Sequence, residues 1–380
     1  MNFKRWNIAF LGLMAAVLVF VAGMNYFVDP FCYFRFQSGD YEDIVSIDSK
    51  FYLRELKAQH VKNFGDQYDT FVLGGSKTGS YRNEKLEELD GYKTYNLFGL
   101  HGSFYEYELL TDFIFQYASP KRIILNISGS EVNGYQWDQT KFNNTIPAAV
   151  TGESKLLETV DFLFKDVKNS FERLDTRKGT EGNYKGRTGG ERNLDNYYKR
   201  MDDDEAWTAY TKKSVLGSFK SHTKSLITRN RKSKDYEACL QSLERIKSVC
   251  DQHGTELMVI ILPSFFTEYE GYDSTYYREF LGEMAWITDY WDFSGYHDIS
   301  MNPYNFYDEM HFYYEVGDLI VDTINGTDSY PGFGYHVTRE NAAEYVKKRQ
   351  ADFDELRQEY EETGTVQIQG LEDESCLVRR

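Results

Sequence analysis

Two short segments, far apart in the chain, carry the residue types that make a hydroxyl nucleophilic near neutral pH. One is Phe71-Val-Leu-Gly-Gly-Ser-Lys-Thr78, which places Ser76 directly after an apolar run that breaks at glycines. The other is Tyr307-Asp-Glu-Met-His-Phe312, which sets Asp308 three residues before His311, with Gly317 six residues further on. A serine that loses its proton to a histidine, itself oriented by a carboxylate, attacks acyl carbons. If the fold joins these segments, the chemistry is acyl transfer or ester cleavage.

The glycines around Ser76 permit a tight turn and a close approach of substrate to backbone amides. Those amides can form part of an oxyanion hole. A phosphate loop would need Gly-Lys-Ser/Thr at the end of its glycine frame, whereas here Lys77 follows Ser76, so that alternative is rejected. Taken singly, Asp308 could cap the next helix and His311 could be an ordinary polar loop residue; their joint spacing points to chemistry. His101 lies near the expected site, where it reads as a loop side chain without a catalytic role. Asn133, Tyr135 and Trp137 could line a sugar-binding groove or simply serve as core aromatics. The cysteine and histidine spacings match no metal motif, and no metal or organic cofactor is implied.

The elements that must position these groups alternate between strand and helix. Strands are expected at Tyr68–Gly74, Tyr92–Leu97, Lys121–Ile127, Glu256–Leu262 and Trp291–Phe293, and helices over 48–65, 84–89, 105–117, 235–253, 276–288 and 315–324. Short apolar strands alternating with helices predict an α/β fold with a mostly parallel sheet covered on both faces. Sites in such sheets form at the carboxyl ends of strands, which is where Ser76 falls.

An uncharged apolar run from Ile8 continues through Asn25 to Val28, after Lys4 and Arg5. Its roughly 30 Å of helix matches a bilayer core. The preceding basic residues favour a cytoplasmic N-terminus and an extracytoplasmic remainder; a cleaved signal peptide is the alternative. The expected organisation is an anchor over 1–28, an α/β domain over 29–330 and a C-terminal helix with a flexible tail over 331–380. Residues 165–234, rich in charge, glycine and tyrosine, read as an insertion rather than a second core, and as a candidate lid. They include Thr180-Glu-Gly-Asn-Tyr-Lys-Gly-Arg-Thr-Gly-Gly190. The formal charge of -17 argues against a nucleic-acid or anionic-membrane surface partner. Cys239 and Cys250 would stand about 16 Å apart on one helix, beyond disulfide reach. Asn143 and Asn325 begin glycosylation-type triplets, a pattern of low specificity.

Gly-x-Ser after the first strand and Asp-x-x-His near the end resemble the first and last blocks of SGNH/GDSL-type hydrolases. The anchored N-terminus, Val28-Asp-Pro, Leu73-Gly-Gly-Ser, Tyr95-Asn-Leu97 and Asp292-Phe-Ser followed by Asp308-x-x-His311-Phe are similar to the membrane-anchored branch that includes DltD and the alginate-acetylation proteins AlgJ and AlgX. The resemblance spans about residues 25–325 apart from the insertion. It implies a three-layer α/β/α flavodoxin-like (SGNH) fold and a Ser76–His311–Asp308 triad. It also implies an oxyanion hole built from Ser76, Gly102 (with Gly99 as the alternative) and Asn126. The third block departs from the family pattern, since Leu125-Asn-Ile-Ser-Gly-Ser-Glu131 stands where Gly-x-Asn-Asp would be. The function so implied is an extracytoplasmic acyl-ester hydrolase or O-acyltransferase acting on an acylated envelope or exported polysaccharide, with a membrane-bound O-acyltransferase as a candidate partner. A non-catalytic glycan-binding or scaffold role in such a complex is the alternative.

Overall fold

Branched and aromatic apolar residues bounded by turn formers build the strands of a mostly parallel sheet. The computed structural model describes residues 3–30, 33–34, 53–137, 145–175 and 189–379. Strands β1 (Thr70–Leu73), β2 (Thr94–Asn96), β3 (Arg122–Ile127), β4 (Glu256–Ile261), β5 (Tyr290–Asp292) and β6 (Tyr335–Val337) lie in the order β2-β1-β3-β4-β5-β6. All neighbours pair in parallel except β5 and β6. Each of the five expected strands is present, the first four trimmed at one or both ends and the last shifted back by one residue. The strand order reverses at β1, between β2 and β3, so the crevice at their carboxyl ends is where a ligand site is expected in an open α/β sheet.

Phe71, Val72 and Leu73 are completely buried, as are Ile123 and Leu125 on the neighbouring strand. Consecutive strand residues point to opposite faces, so the sheet centre is covered on both. Helices Phe104–Tyr117, Tyr236–His253, Thr275–Met284 and Ala342–Thr363 pack in series, each against the next, while helix Tyr314–Asn325 meets Asn83–Glu87. Ser103 starts the first of these by accepting the Glu106 amide, an N-cap that fixes where the chain turns from the β2 loop into helix.

Helix Phe3–Val28 is long and apolar enough to cross a membrane, with a mean hydropathy of 2.3 over its most apolar window and none of that window buried. The expected helix over 48–65 is present as Leu53–Phe64, its first residues lying outside the described ones. So do Cys32, Asn143 and most of Thr180–Gly190. Cys239, Cys250 and Cys376 are free and buried; Asn325 is exposed.

The expected C-terminal helix is present as Ala342–Thr363. Two expectations about residues 331–380 are corrected: the segment is not separate from the α/β domain, because β6 adds to the sheet edge and Tyr345 Oη donates to Asp292 Oδ2 on β5 (2.5 Å), and its tail is not loose. The last residues are docked: Asn302 donates to Gly370 O and Ser375 Oγ, Asn305 donates to Ser375 O, and the Leu377 amide returns to Asn305 Oδ1 (2.8 Å). The described part of the insertion 165–234 packs against the segment around Tyr304–Tyr314. Its Leu194 is buried in a small core with Tyr307, Tyr313 and Tyr314, and Trp207 is fully buried with its ring edge-on to Tyr304.

Candidate active site

Ser76 opens a 3-10 turn, Ser76–Ser80, directly after β1. The elbow is pinned from both sides: Asn96 Nδ2 donates to Thr78 O (2.9 Å) and the Gly99 amide to Gly74 O (3.0 Å). A Cβ on Gly75 would meet the Glu131 carboxyl, which would have to shift to admit it. Ser76 itself is half-buried, between fully covered neighbours.

The histidine comes from a loop closed on itself. Phe306 and Phe312 form an isolated antiparallel bridge, and the Tyr307 amide donates to His311 O (3.0 Å). Asp308 Oδ1 accepts the amides of Met310 and His311, both at 2.9 Å. This local turn, built by an aspartate on its own following amides, brings the carboxylate to the imidazole. His311 Nδ1 lies 2.8 and 2.9 Å from the two Asp308 oxygens, and His311 Nε2 lies 2.6 Å from Ser76 Oγ. An ionised carboxylate only accepts, so Nδ1 carries the proton and Nε2 is free to accept from the serine hydroxyl.

The electrostatics favour this protonation pattern. Burial lowers the pKa of His311; Asp308 opposes it, Arg192 and Lys77 reinforce it, and the net value lies below that of an ordinary imidazole. Burial pushes Asp308 up, but His311 and the two backbone donors outweigh it and hold the carboxyl below its usual range. The pair therefore rests as carboxylate and neutral base near pH 7.

Gly102 reaches the turn that carries Ser76 from the β2 loop. A Cβ built on it would stand 2.8 Å from Gly75 N, so the two backbones touch just before Ser76. The amides of Ser76 and Gly102 donate to no acceptor among the described residues. Gly99 is ruled out as the alternative, since its amide is committed to Gly74 O. The loop is held by Arg54, which donates to Leu100 O (2.5 Å) and pairs with Glu106 (2.5 Å), and by Trp137 Nε1, which donates to Gly102 O (2.9 Å). His101, exposed beside Gly102, takes a left-handed backbone (φ 54°), uncommon for a non-glycine residue though histidine is among those that adopt it most readily.

Asn126 does not complete the cradle. It lies inside β3, fully buried, and its Nδ2 donates to Leu73 O (3.4 Å), so its amide supports the end of β1. Of the residues after Ser130, Asn133 is exposed and donates to Gly271 O, while Tyr135 and Trp137 are half-buried and donate to Glu108 and to the Gly102 carbonyl.

Several supporting residues carry no motif. Tyr307 stacks on His311, and its hydroxyl accepts from Arg192 Nη1 (2.6 Å). Tyr210 Oη donates to Tyr307 O (2.7 Å). Lys77 is buried and donates to Ser264 Oγ (2.5 Å), with Glu268 3.5 Å away. Only adjacency to Asp308 and Ser76 could have drawn attention to Tyr307 and Lys77; nothing in the local sequence marks Arg192 or Tyr210. Among the described residues no group of three or more His, Cys, Asp and Glu side chains is placed to hold a metal ion.

No known protein-family model matches this chain, and no curated protein matches it.

Proposed function

We propose that this chain is a serine acyl-ester hydrolase or O-acyltransferase of the SGNH type. Helix Phe3–Val28 anchors it, and its catalytic domain lies outside the cytoplasm. The observation that carries the activity is the relay Ser76 Oγ to His311 Nε2 at 2.6 Å and His311 Nδ1 to Asp308 at 2.8 Å. The strand order of β1 to β5 is that of a doubly wound flavodoxin-like sheet, which supports the three-layer SGNH reading.

His311 Nε2 takes the Ser76 proton as Oγ attacks the acyl carbon. The oxyanion so formed accepts from the Ser76 and Gly102 amides, dipoles already in place before charge develops. Collapse expels the alcohol, which leaves with the proton from His311, and the acyl group stays on Ser76. Water or a sugar hydroxyl then gives its proton to His311 and takes the acyl group, releasing an acid or a new ester. The acylated envelope or exported polysaccharide, and a membrane-bound O-acyltransferase as partner, rest on the family resemblance.

The alternative, a glycan-binding or scaffold protein, draws on the diversion of Asn126 to Leu73. Turnover of an activated acetyl ester by the full chain in detergent separates the two. The enzyme reading expects Ser76→Ala to lower turnover by about 10³-fold or more. Turnover that survives this substitution unchanged, or no turnover in the wild type, overturns it.

A further inference from the structure

Helix Lys155–Phe164 has one apolar stripe turned to solvent. Leu156, Leu157, Val160 and Phe164 recur at helical spacings of three and four and are 71, 72, 44 and 46 % exposed. Phe162, on the other side, is buried and stacks on Tyr33 with ring centroids 4.1 Å apart. The next helix, Lys168–Asp175, exposes Phe171 and Leu174. Exposed apolar side chains aligned along one helix in a chain of formal charge -17 mark an interaction surface.

Its position in the chain says what covers it. Both helices pack on helix Phe3–Val28, and they do so at its end. Residues 21–24 are half-buried there, whereas the apolar run before them is bare. Asn25, the first polar residue after that run, is 1 % exposed. Its Nδ2 donates to Leu163 O (3.0 Å) and Lys165 O (2.8 Å), and its Oδ1 accepts from Ser170 Oγ (2.7 Å). It thereby satisfies the orphan carbonyls at the end of one helix and a side chain of the next. The two short helices are thus locked to the level where the membrane-length helix leaves its apolar span. Tyr26 and Phe27 are exposed at that level, as aromatics are at a membrane–water boundary.

We infer that helices Lys155–Phe164 and Lys168–Asp175 lie in the membrane interface, with the six exposed apolar side chains sunk into the boundary between head groups and acyl chains. The occupant of this face is the lipid bilayer itself. Lysines 155, 165 and 168 are interspersed with Asp161 and Asp166, so apolar burial rather than charge attraction drives the contact. The inference rests on the anchor reading of Phe3–Val28 and goes beyond it: the catalytic domain is held at a fixed height and tilt, not tethered at the end of a flexible stalk.

The test uses the full chain in phosphatidylcholine vesicles, with one environment-sensitive fluorophore at Leu157→Cys in a Cys32→Ser background, the other three cysteines being buried. Val17→Cys reports on the anchor and Glu344→Cys, on an exposed helix surface, reports on water. The expected result is that the Leu157 label is quenched by lipids with a shallow nitroxide and several-fold less than the Glu344 label by aqueous iodide. Leu157 open to iodide while Val17 is quenched by lipid overturns the inference and leaves the anchor standing. Val17 open to iodide overturns the anchor reading, and the inference with it. A Leu157 label shielded from both quenchers is covered by protein, such as a second copy of the chain, which also overturns it.

Discussion

The Tyr307 ring lies against the His311 imidazole, with centroids 5.4 Å apart and planes within 9°. Asp308 grips the same imidazole at its edge, and Arg192 holds Tyr307 by its hydroxyl. The base is therefore set by two groups of opposite charge, which pull its pKa in opposite directions.

That opposition predicts a pair of pH effects. The proposed reaction needs neutral His311, so kcat/KM is expected to fall as pH drops through the His311 pKa, with this acid limb below the ordinary imidazole value of about 6.5. Asp308→Asn removes the group that raises the pKa, so the limb moves to lower pH while kcat falls by up to about 10⁴-fold. Arg192→Met removes a group that lowers it, so the limb moves to higher pH. Profiles of kcat/KM for the three proteins check this; limbs that shift in the same direction contradict it.

Gly102 tests the oxyanion assignment. A methyl group there would sit 2.8 and 2.9 Å from Gly75 N and Cα, contacts that only backbone displacement relieves. Gly102→Ala is expected to lower kcat by about 10²- to 10³-fold, with KM changed far less. The split between kcat and KM is the measurement, with circular dichroism to establish that the variant folds; an unaltered kcat removes Gly102 from the mechanism.

Much of the site was legible in the sequence because it is local. Ser76 sits on a strand-end turn, and Asp308 reaches His311 through a three-residue turn that aspartate itself builds. What supports the site is not local. Tyr210 meets Tyr307 across 97 residues of chain, and Arg192 meets it across 115. The segment that supplies both reads as a polar insertion because its few apolar anchors, Leu194 and Trp207 among them, are scattered between charged and tyrosine residues and show no strand or helix period. The docked C-terminus escaped notice for a related reason: it is fastened by Asn302 and Asn305, and hydropathy does not register amide hydrogen bonds. Strand β6 is too short to show a period, and Asn126 could not be placed at the tip of β3 or inside it without the register.

Glu131 should make stability depend on pH. Burial raises its carboxyl to about 7, against the hydrogen bonds from Ser128 and the nearby charge of Lys77. An acid whose folded pKa lies above its unfolded value holds more protons when folded, so stability falls as pH rises from the unfolded value of about 4.3 toward 7. Glu131→Gln cannot ionise yet can still accept from the Ser128 amide. Denaturant melts at pH 5.5 and 8 are expected to show a loss smaller than wild type by on the order of 2 kcal/mol. An identical loss in both proteins would mean the carboxyl is not protonated in the fold.

Asn305 couples the docked tail to the histidine loop. Its side chain donates to Ile299 O (3.0 Å) and Ser375 O (2.7 Å) and accepts from Leu377, while its carbonyl takes the Tyr313 amide. Asn305→Ala strands several buried backbone groups, which costs roughly 3 kcal/mol. Chemical denaturation should show that loss, together with faster proteolysis after residue 369. Stability equal to wild type would mean the tail contributes nothing to holding the loop.

The most direct measurement of the central claim is reaction of the full chain with a fluorophosphonate, followed by peptide mass mapping. The relay from Asp308 through His311 to Ser76 requires a single adduct on Ser76, formed fastest above the acid limb and lost in His311→Ala. An adduct on another serine, or a Ser76 that labels equally well without His311, would contradict it.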